Sequence, residues 1–346
     1  MKRASSFVGR VILAACMCGV SLPRESRGEA PIPGLPPDSM PVHASDGPFH
    51  SEASLNTFLD NCGYEVGYYA MELNDDRVME RFADREVCLA SMVKVFCLTE
   101  LFRQAEEGLD LDGTVILVPG HGKQTLREAA DLMIGVSDNP ATHALADFLG
   151  RDRVNAIPKL LGLEGVSGTA LPTEDQLHTM LDERIRGDRV ASEGLPMHGT
   201  ARALATFYEL LSRHEVISPQ VSGDLLAFFA RHPKPFSRDY REAFAFGGKG
   251  GNILWTRPPR HYSMMGWGLL LTDPHHQPAG FNVDPLLTTR QRGPIALCVW
   301  GEWFPPQMSP EDQQAFLSLV TDSLIATLEA PRRAAMRLEP AMILQL

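Results

Sequence analysis

The sequence predicts an α+β chain of two lobes, an α/β lobe assembled from both ends of the chain and an all-α lobe inserted between them. Three observations carry that expectation. Segments rich in Val, Tyr, Phe and Trp gather in residues 65–87 and again in 243–303, the stretch between them carries helical periodicities, and no internal repeat divides the 346 residues. An apolar content of 44% is ample for a core at this length. A formal net charge of -11 without a basic patch argues against a nucleic-acid partner and leaves small molecules or a wall polymer.

Taken in order, the chain opens on Lys2, Arg3 and Arg10, then an apolar run from Val11 to Leu22, then Pro23. Residues 1–30 therefore read as a secretory signal, with an apolar run too short to span a bilayer. Leu13-Ala14-Ala15-Cys16 resembles the lipobox of bacterial lipoproteins, so acylation of Cys16 and simple cleavage are both open. Residues 31–50, with Pro31-Ile32-Pro33-Gly34-Leu35-Pro36-Pro37, have a linker composition. A catalytic domain is expected over 51–330, its α/β lobe from 51–88 and 240–330 and its α lobe from 89–239, followed by a tail, 331–346, that adds a turn or helix. Export permits disulfides, and Cys62, Cys88, Cys97 and Cys298 allow three pairings, none favoured over the others.

Ser51 to Asn61, with Leu55, Phe58 and Leu59 on one side, predicts an amphipathic helix ending near Gly63. Strands at Glu65–Leu73 and Val78–Val87 flank the turn signal Asn74-Asp75-Asp76. A buried helix should run from Ser91 to about Gly108, apolar on nearly every side. Ser91 and Lys94 are three apart, one turn of that helix, so the amine can reach the hydroxyl. An enclosed lysine is pushed toward its neutral form and can then accept a hydroxyl proton. Taken alone, Ser-x-x-Lys is also a chance tetrapeptide whose lysine snorkels to the surface.

Thr125 and Glu128 form a capping-box signal for a helix with Leu126, Ala129, Ala130, Met133 and Ile134 on one face. That helix breaks at Ser137-Asp138-Asn139. Pro140 opens the next one, which runs to Gly150 with Asn139 as its expected cap. Residues 162–198 look irregular. Helices follow at Thr200–Ser212 and from Ser218-Pro219 to about Arg231, then strands at Ala243–Gly248, His261–Thr272 and Ile295–Trp303, then a last helix from Ser309-Pro310 to Glu329.

Ser91-Met92-Val93-Lys94, Ser137-Asp138-Asn139 and Lys249-Gly250-Gly251 stand in the order of the Ser-x-x-Lys, Ser-Asp-Asn and Lys-Thr-Gly motifs of class A β-lactamases and penicillin-binding proteins. Glu174-Asp175-Gln176-Leu177-His178, 37 residues after Ser137, is similar to the Glu-x-x-Leu-Asn segment of the class A Ω-loop, which penicillin-binding proteins lack. Over nearly all of 51–329 the chain resembles class A β-lactamases. The resemblance implies the two-lobed β-lactamase/transpeptidase-like fold, with an antiparallel sheet flanked by helices plus an all-α lobe. It also implies an exported, monomeric serine hydrolase, secreted or periplasmic, that opens β-lactam rings without a cofactor or metal.

The resemblance further implies roles residue by residue. Ser91 is the nucleophile, and Lys94 is its base, directly or through Glu174 and a water. Ser137 and Lys249 pass a proton to the departing nitrogen and help to fix the substrate carboxylate. Asn139 holds Lys94 and a substrate amide, while Gly250 and Gly251 belong to the substrate-binding strand. The backbone amides of Ser91 and Asn252 form the oxyanion hole. Glu174 activates the water that frees the acyl-enzyme, with His178 beside it.

Four departures bear on that picture. Gly250 replaces the hydroxyl residue of Lys-Thr-Gly; a lost hydrogen bond to a carboxylate costs roughly 1.5 to 3 kcal/mol, about 10- to 150-fold in recognition. His178 replaces an asparagine, and Pro172 replaces the usual arginine of the Ω-loop. The connection from Asp110 to Lys123 is short, which should open one wall of the site. Arg257, Arg260, Arg290 and Arg292 are candidates for a substituted carboxylate anchor. Two other readings stay open: a penicillin- or wall-peptide-binding module that turns over slowly or not at all, for which Gly250 argues, and a DD-carboxypeptidase-like hydrolase, against which Glu174 argues.

Overall fold

A computed structural model of the chain describes residues 48–166, 172, 176, 179–180, 185–186, 189–190, 197–232, 245–257, 260–272, 294–303 and 308–342. The expected signal, Cys16, most of the linker, Glu174, His178, Arg290 and Arg292 lie outside these residues, as do the Arg257 and Arg260 side chains.

Ser51 accepts from the Ser54 amide at 3.2 Å and so caps α1 (Glu52–Asn61), which buries Leu55 and Leu59. β1 (Glu65–Glu72) and β2 (Arg77–Arg81) form the expected hairpin. In its turn the Glu72 carboxylate accepts from the Asn74 and Asp75 amides at 3.2 and 2.8 Å. The second strand is shorter than predicted because Phe82 adopts φ 46, which ends the ladder; extended pairing returns only at β3 (Val87–Cys88), against His198–Gly199.

The predicted helix at Ser91 is two pieces: a 3-10 turn, Ala90–Val93, and α2 (Lys94–Glu106). Ala90 sits at φ 47, and that left-handed step tightens the entry. Every residue of α2 from Lys94 to Phe102 is buried. Phe96 packs edge-on to Phe207 at 5.6 Å and Phe102 to Phe228 at 5.7 Å, so helices on both flanks enclose α2.

β4 (Val115–Val118) and β5 (Gly122–Thr125) make a hairpin in what the sequence suggested was only a short connection. α3 (Leu126–Gly135) carries the predicted capping box, with Thr125 Oγ1 accepting from the Glu128 amide and the Glu128 carboxylate from the Thr125 amide at 3.2 and 2.8 Å. Its five predicted core residues are all fully buried. α4 (Asn139–Leu149) and α5 (Arg151–Leu160) follow, the latter unforeseen because Pro158 lies inside it. β6 (Ile185–Arg186), β7 (Arg189–Val190) and β8 (His198–Gly199) fall in and after the segment that looked irregular.

α6 (Ala201–Ser212) and α7 (Pro219–Arg231) are capped by Thr200 and Ser218. The chain then returns to strands in β9 (Ala245–Arg257), β10 (Arg260–Thr272) and β11 (Ile295–Trp303). α8 (Pro310–Met342) overruns the predicted end at Glu329 and takes in most of the tail. No helix among the described residues is long and apolar enough to cross a membrane.

The sheet runs β2-β1-β11-β10-β9 with every neighbour antiparallel, so strands from the two ends of the chain share one ladder. α1 and α8 cover one face, where Leu55, Tyr68, Trp267, Val299 and Leu317 meet. On the other face Tyr69, Met264 and Trp300 join the core around Phe96 and Phe207. Successive residues of β11 alternate between these cores, which is why Ile295–Trp303 is buried throughout and reads as an unbroken apolar run. The antiparallel sheet and helical lobe agree with the predicted fold class. Cys62, Cys88, Cys97 and Cys298 are all free, so none of the three pairings forms; burial pushes the Cys88 and Cys97 thiols up to about 12.

Candidate active site

The 3-10 turn presents Ser91 half-buried at the head of α2, with Lys94 one turn on and only 1% exposed. In a 3-10 turn residues three apart eclipse, which keeps the two side chains on one line. Lys94 Nζ donates to the Ser137 carbonyl at 2.6 Å, to Asn139 Oδ1 at 2.8 Å and to Ser137 Oγ at 3.2 Å. Burying an ammonium is costly without such partners.

Ser137 stands between α3 and α4 at φ 61, a second left-handed non-glycine in the site after Ala90. Strain of this kind persists where the surroundings over-determine the backbone. Asp138, not the expected Asn139, caps α4: its Oδ1 accepts from the Ala141 amide at 2.7 Å. The physical reason lies next door. Asn139 is the first residue of the helix and spends its side-chain carbonyl on Lys94.

Lys249 comes from β9, the edge strand of the sheet. It is 2% exposed and donates to Ser137 Oγ at 2.9 Å and to the Gly250 carbonyl at 2.5 Å. Gly247, Lys249, Gly251 and Ile253 share the strand face toward the helical lobe by their period of two. A Cβ on Gly251 would stand 2.8 Å from both the Leu89 carbonyl oxygen and the Ser91 nitrogen, so this glycine is what lets β9 lie directly against the turn that carries Ser91.

Ser91, Lys94, Ser137, Asn139 and Lys249 to Asn252 are therefore gathered between one sheet edge and the mouth of the helical lobe. Glu174 and His178 lie outside the described residues. Ser137 Oγ is the junction, with a buried amine on each side. Lys94 Nζ donates to three acceptors, and Ser137 Oγ accepts from both amines, which leaves the Ser137 hydroxyl hydrogen free to point elsewhere.

Two residues of the site region escaped the sequence reading. His121, in the turn of the β4–β5 hairpin, places Nε2 3.0 Å from Asp138 Oδ2. His143, one turn along α4 from Asn139, is half-buried with Nδ1 3.4 Å from Arg151 Nη2. Burial, reinforced by the Arg151 guanidinium, holds its imidazole below the usual histidine range. Neither belongs to a linear motif; a histidine four residues after Asn139 on one helix face was the only available signal.

A family model described as the β-lactamase enzyme family matches residues 51–252, more than half of the chain and a span that includes Ser91, Lys94, Ser137, Asn139 and Lys249. The chain belongs to the β-lactamase enzyme family. No curated protein sequence matches it. Among solved structures it is similar to a β-lactamase from Sphaerobacter thermophilus at 18% identity, covering 81% of this chain and 96% of that one with a TM-score of 0.59. It is similar to a class A β-lactamase from Mycobacterium abscessus at 17%, covering 79% and 97%, TM-score 0.54. A β-lactamase from Chitinophaga pinensis stands at 15%, 80% and 98%, TM-score 0.60. At these identities the structures establish the shared fold, and the family match makes this chain a serine β-lactamase-like hydrolase.

Proposed function

We propose that this family member opens β-lactam rings through an acyl-enzyme on Ser91. The observation that carries the reading is the Ser137 hydroxyl held between the Lys94 and Lys249 amines, a few residues of strand and turn away from Ser91. Ser91 Oγ attacks the lactam carbonyl and its proton passes to neutral Lys94, directly or by way of Glu174 and a water. As the C–N bond breaks, Ser137 gives its proton to the departing nitrogen and is resupplied from the flanking amines. The amides of Ser91 and Asn252 receive the oxyanion, each such donor worth about 3 kcal/mol. A water then attacks the ester, its proton going to Glu174 with His178 alongside, and as the acyl C–O bond breaks Ser91 Oγ leaves with that proton, returned from Glu174.

The substrate carboxylate is read by Ser137 and Lys249, and β9, as an edge strand, offers backbone groups to a substrate amide. We further propose export by the 1–30 segment, with Cys16 as a lipid anchor if acylated. Gly250 is the observation that favours a second reading, a slow-turnover penicillin-binding module, because it removes a hydroxyl from carboxylate recognition.

Hydrolysis of a chromogenic cephalosporin by wild type, Ser91→Ala and Gly250→Thr tests the proposal. Wild-type turnover lost in Ser91→Ala, with a gain of roughly tenfold in kcat/KM for Gly250→Thr, is expected. Turnover surviving Ser91→Ala would remove Ser91 as the nucleophile.

A further inference from the structure

We infer that His121 is a positioning residue that holds the Ser137–Asn139 loop in register from outside, through Asp138. The inference rests on the proposed roles of Ser137 and Asn139 but not on which substrate they meet. Asp138 is fixed by five hydrogen bonds. Its amide donates to the Leu132 carbonyl at 3.1 Å, its Oδ1 accepts from the Ala141 amide at 2.7 Å, and its carbonyl accepts from the Thr142 amide at 3.3 Å and from Thr142 Oγ1 at 2.6 Å. These four lie within the α3–α4 junction itself. The fifth, His121 Nε2 to Asp138 Oδ2 at 3.0 Å, comes from the β4–β5 hairpin.

That hairpin is built to present the imidazole. Gly120 and Gly122 flank His121 at φ 83 and φ 76, a tight turn that L side chains rarely allow. The His121 amide donates to the Val118 carbonyl at 3.0 Å, and its carbonyl accepts from Gln124 Nε2 at 2.9 Å, so the histidine backbone is pinned on both sides. A carboxylate oxygen only accepts, so Nε2 carries the proton of this contact. The loop it braces needs bracing: Ser137 sits at φ 61, and its carbonyl and hydroxyl, with Asn139 Oδ1, fix the Lys94 amine. The short connection that seemed only to open the site wall thus supplies a clamp.

Hydrogen–deuterium exchange of the full chain, in wild type, His121→Ala and His121→Gln, reads the clamp without reference to activity, and turnover of a chromogenic cephalosporin reads its consequence. His121→Ala is expected to speed exchange over residues 136–142 about tenfold, leave α8 unchanged, and lower kcat about tenfold with KM within about twofold. His121→Gln, which keeps a side-chain N–H near the Nε2 position, restores most of both. Unchanged exchange over 136–142 in His121→Ala, or Ala and Gln variants that behave alike, overturns the inference. A wild-type protein that does not hydrolyse the cephalosporin sinks the proposed function instead, and the exchange comparison still decides the clamp.

Discussion

Removing the Ser91 hydroxyl leaves Lys94, Ser137 and Lys249 with their mutual contacts intact. Ser91→Ala should therefore fold as wild type while losing about a thousandfold or more in turnover; a matching loss of thermal stability would mean that the serine is structural. His143 gives a pH prediction. Its folded-state pKa is lowered, first by burial and then by Arg151, with Lys94 adding to the effect and Asp147 opposing it. As pH falls through the ordinary histidine range the unfolded chain takes up a proton that the folded chain resists, so stability falls as pH falls. Between pH 7.5 and 5.5, His143→Gln should lose less Tm than wild type; an equal loss in both proteins would place the acid sensitivity elsewhere. At this scale motif order singled out Lys94, Ser137, Asn139 and Lys249, which the fold does bring into contact, because Ser, Lys and Asn carry their chemistry in their identity. It erred on the cap of α4, where Asp138 and Asn139 both qualify and only the position of Lys94 decides between them.

Two elements hold the site together, α2 from within and β9 from its edge. Phe96→Ala should cost about 3–5 kcal/mol in urea denaturation, since the ring is fully buried against Phe207. A cost under 1 kcal/mol would mean that this core collapses around the gap. Gly251→Ala tests the contact between strand and turn: its Cβ meets the Leu89 carbonyl and the Ser91 amide nitrogen, backbone atoms that cannot swing aside. A loss of about 1–3 kcal/mol in stability together with a fall in kcat is expected, and wild-type turnover in this variant would show that β9 need not lie so close. Long, periodic or capped elements such as α3, α6 and β11 were legible in the sequence. The 3-10 turn, the β4–β5 hairpin and α5 were not, because a left-handed Ala90, a hairpin four residues to the strand and an internal Pro158 leave no periodic signal.

At the scale of the whole molecule, the antiparallel sheet is closed by strands from the two ends of the chain, and α8 covers the face opposite the site. The described cysteines are free and three of them are buried, so a reductant should leave Tm unchanged; a drop would reveal a disulfide. The two-lobed architecture was readable because the strand-rich ends and helical middle of the sequence differ in period, whereas the placement of Lys249 beside Ser137 is a product of tertiary packing that only motif order hinted at. The central claim is an acyl-enzyme on Ser91 that is formed by this two-amine site and released with the help of Glu174. Its most direct measurement is the intact mass of wild type and Glu174→Ala over time after mixing with a penicillin. The account predicts an adduct on Ser91 that appears and vanishes in wild type and persists in Glu174→Ala. An adduct that clears at the same rate in both proteins, or none in either, would contradict it.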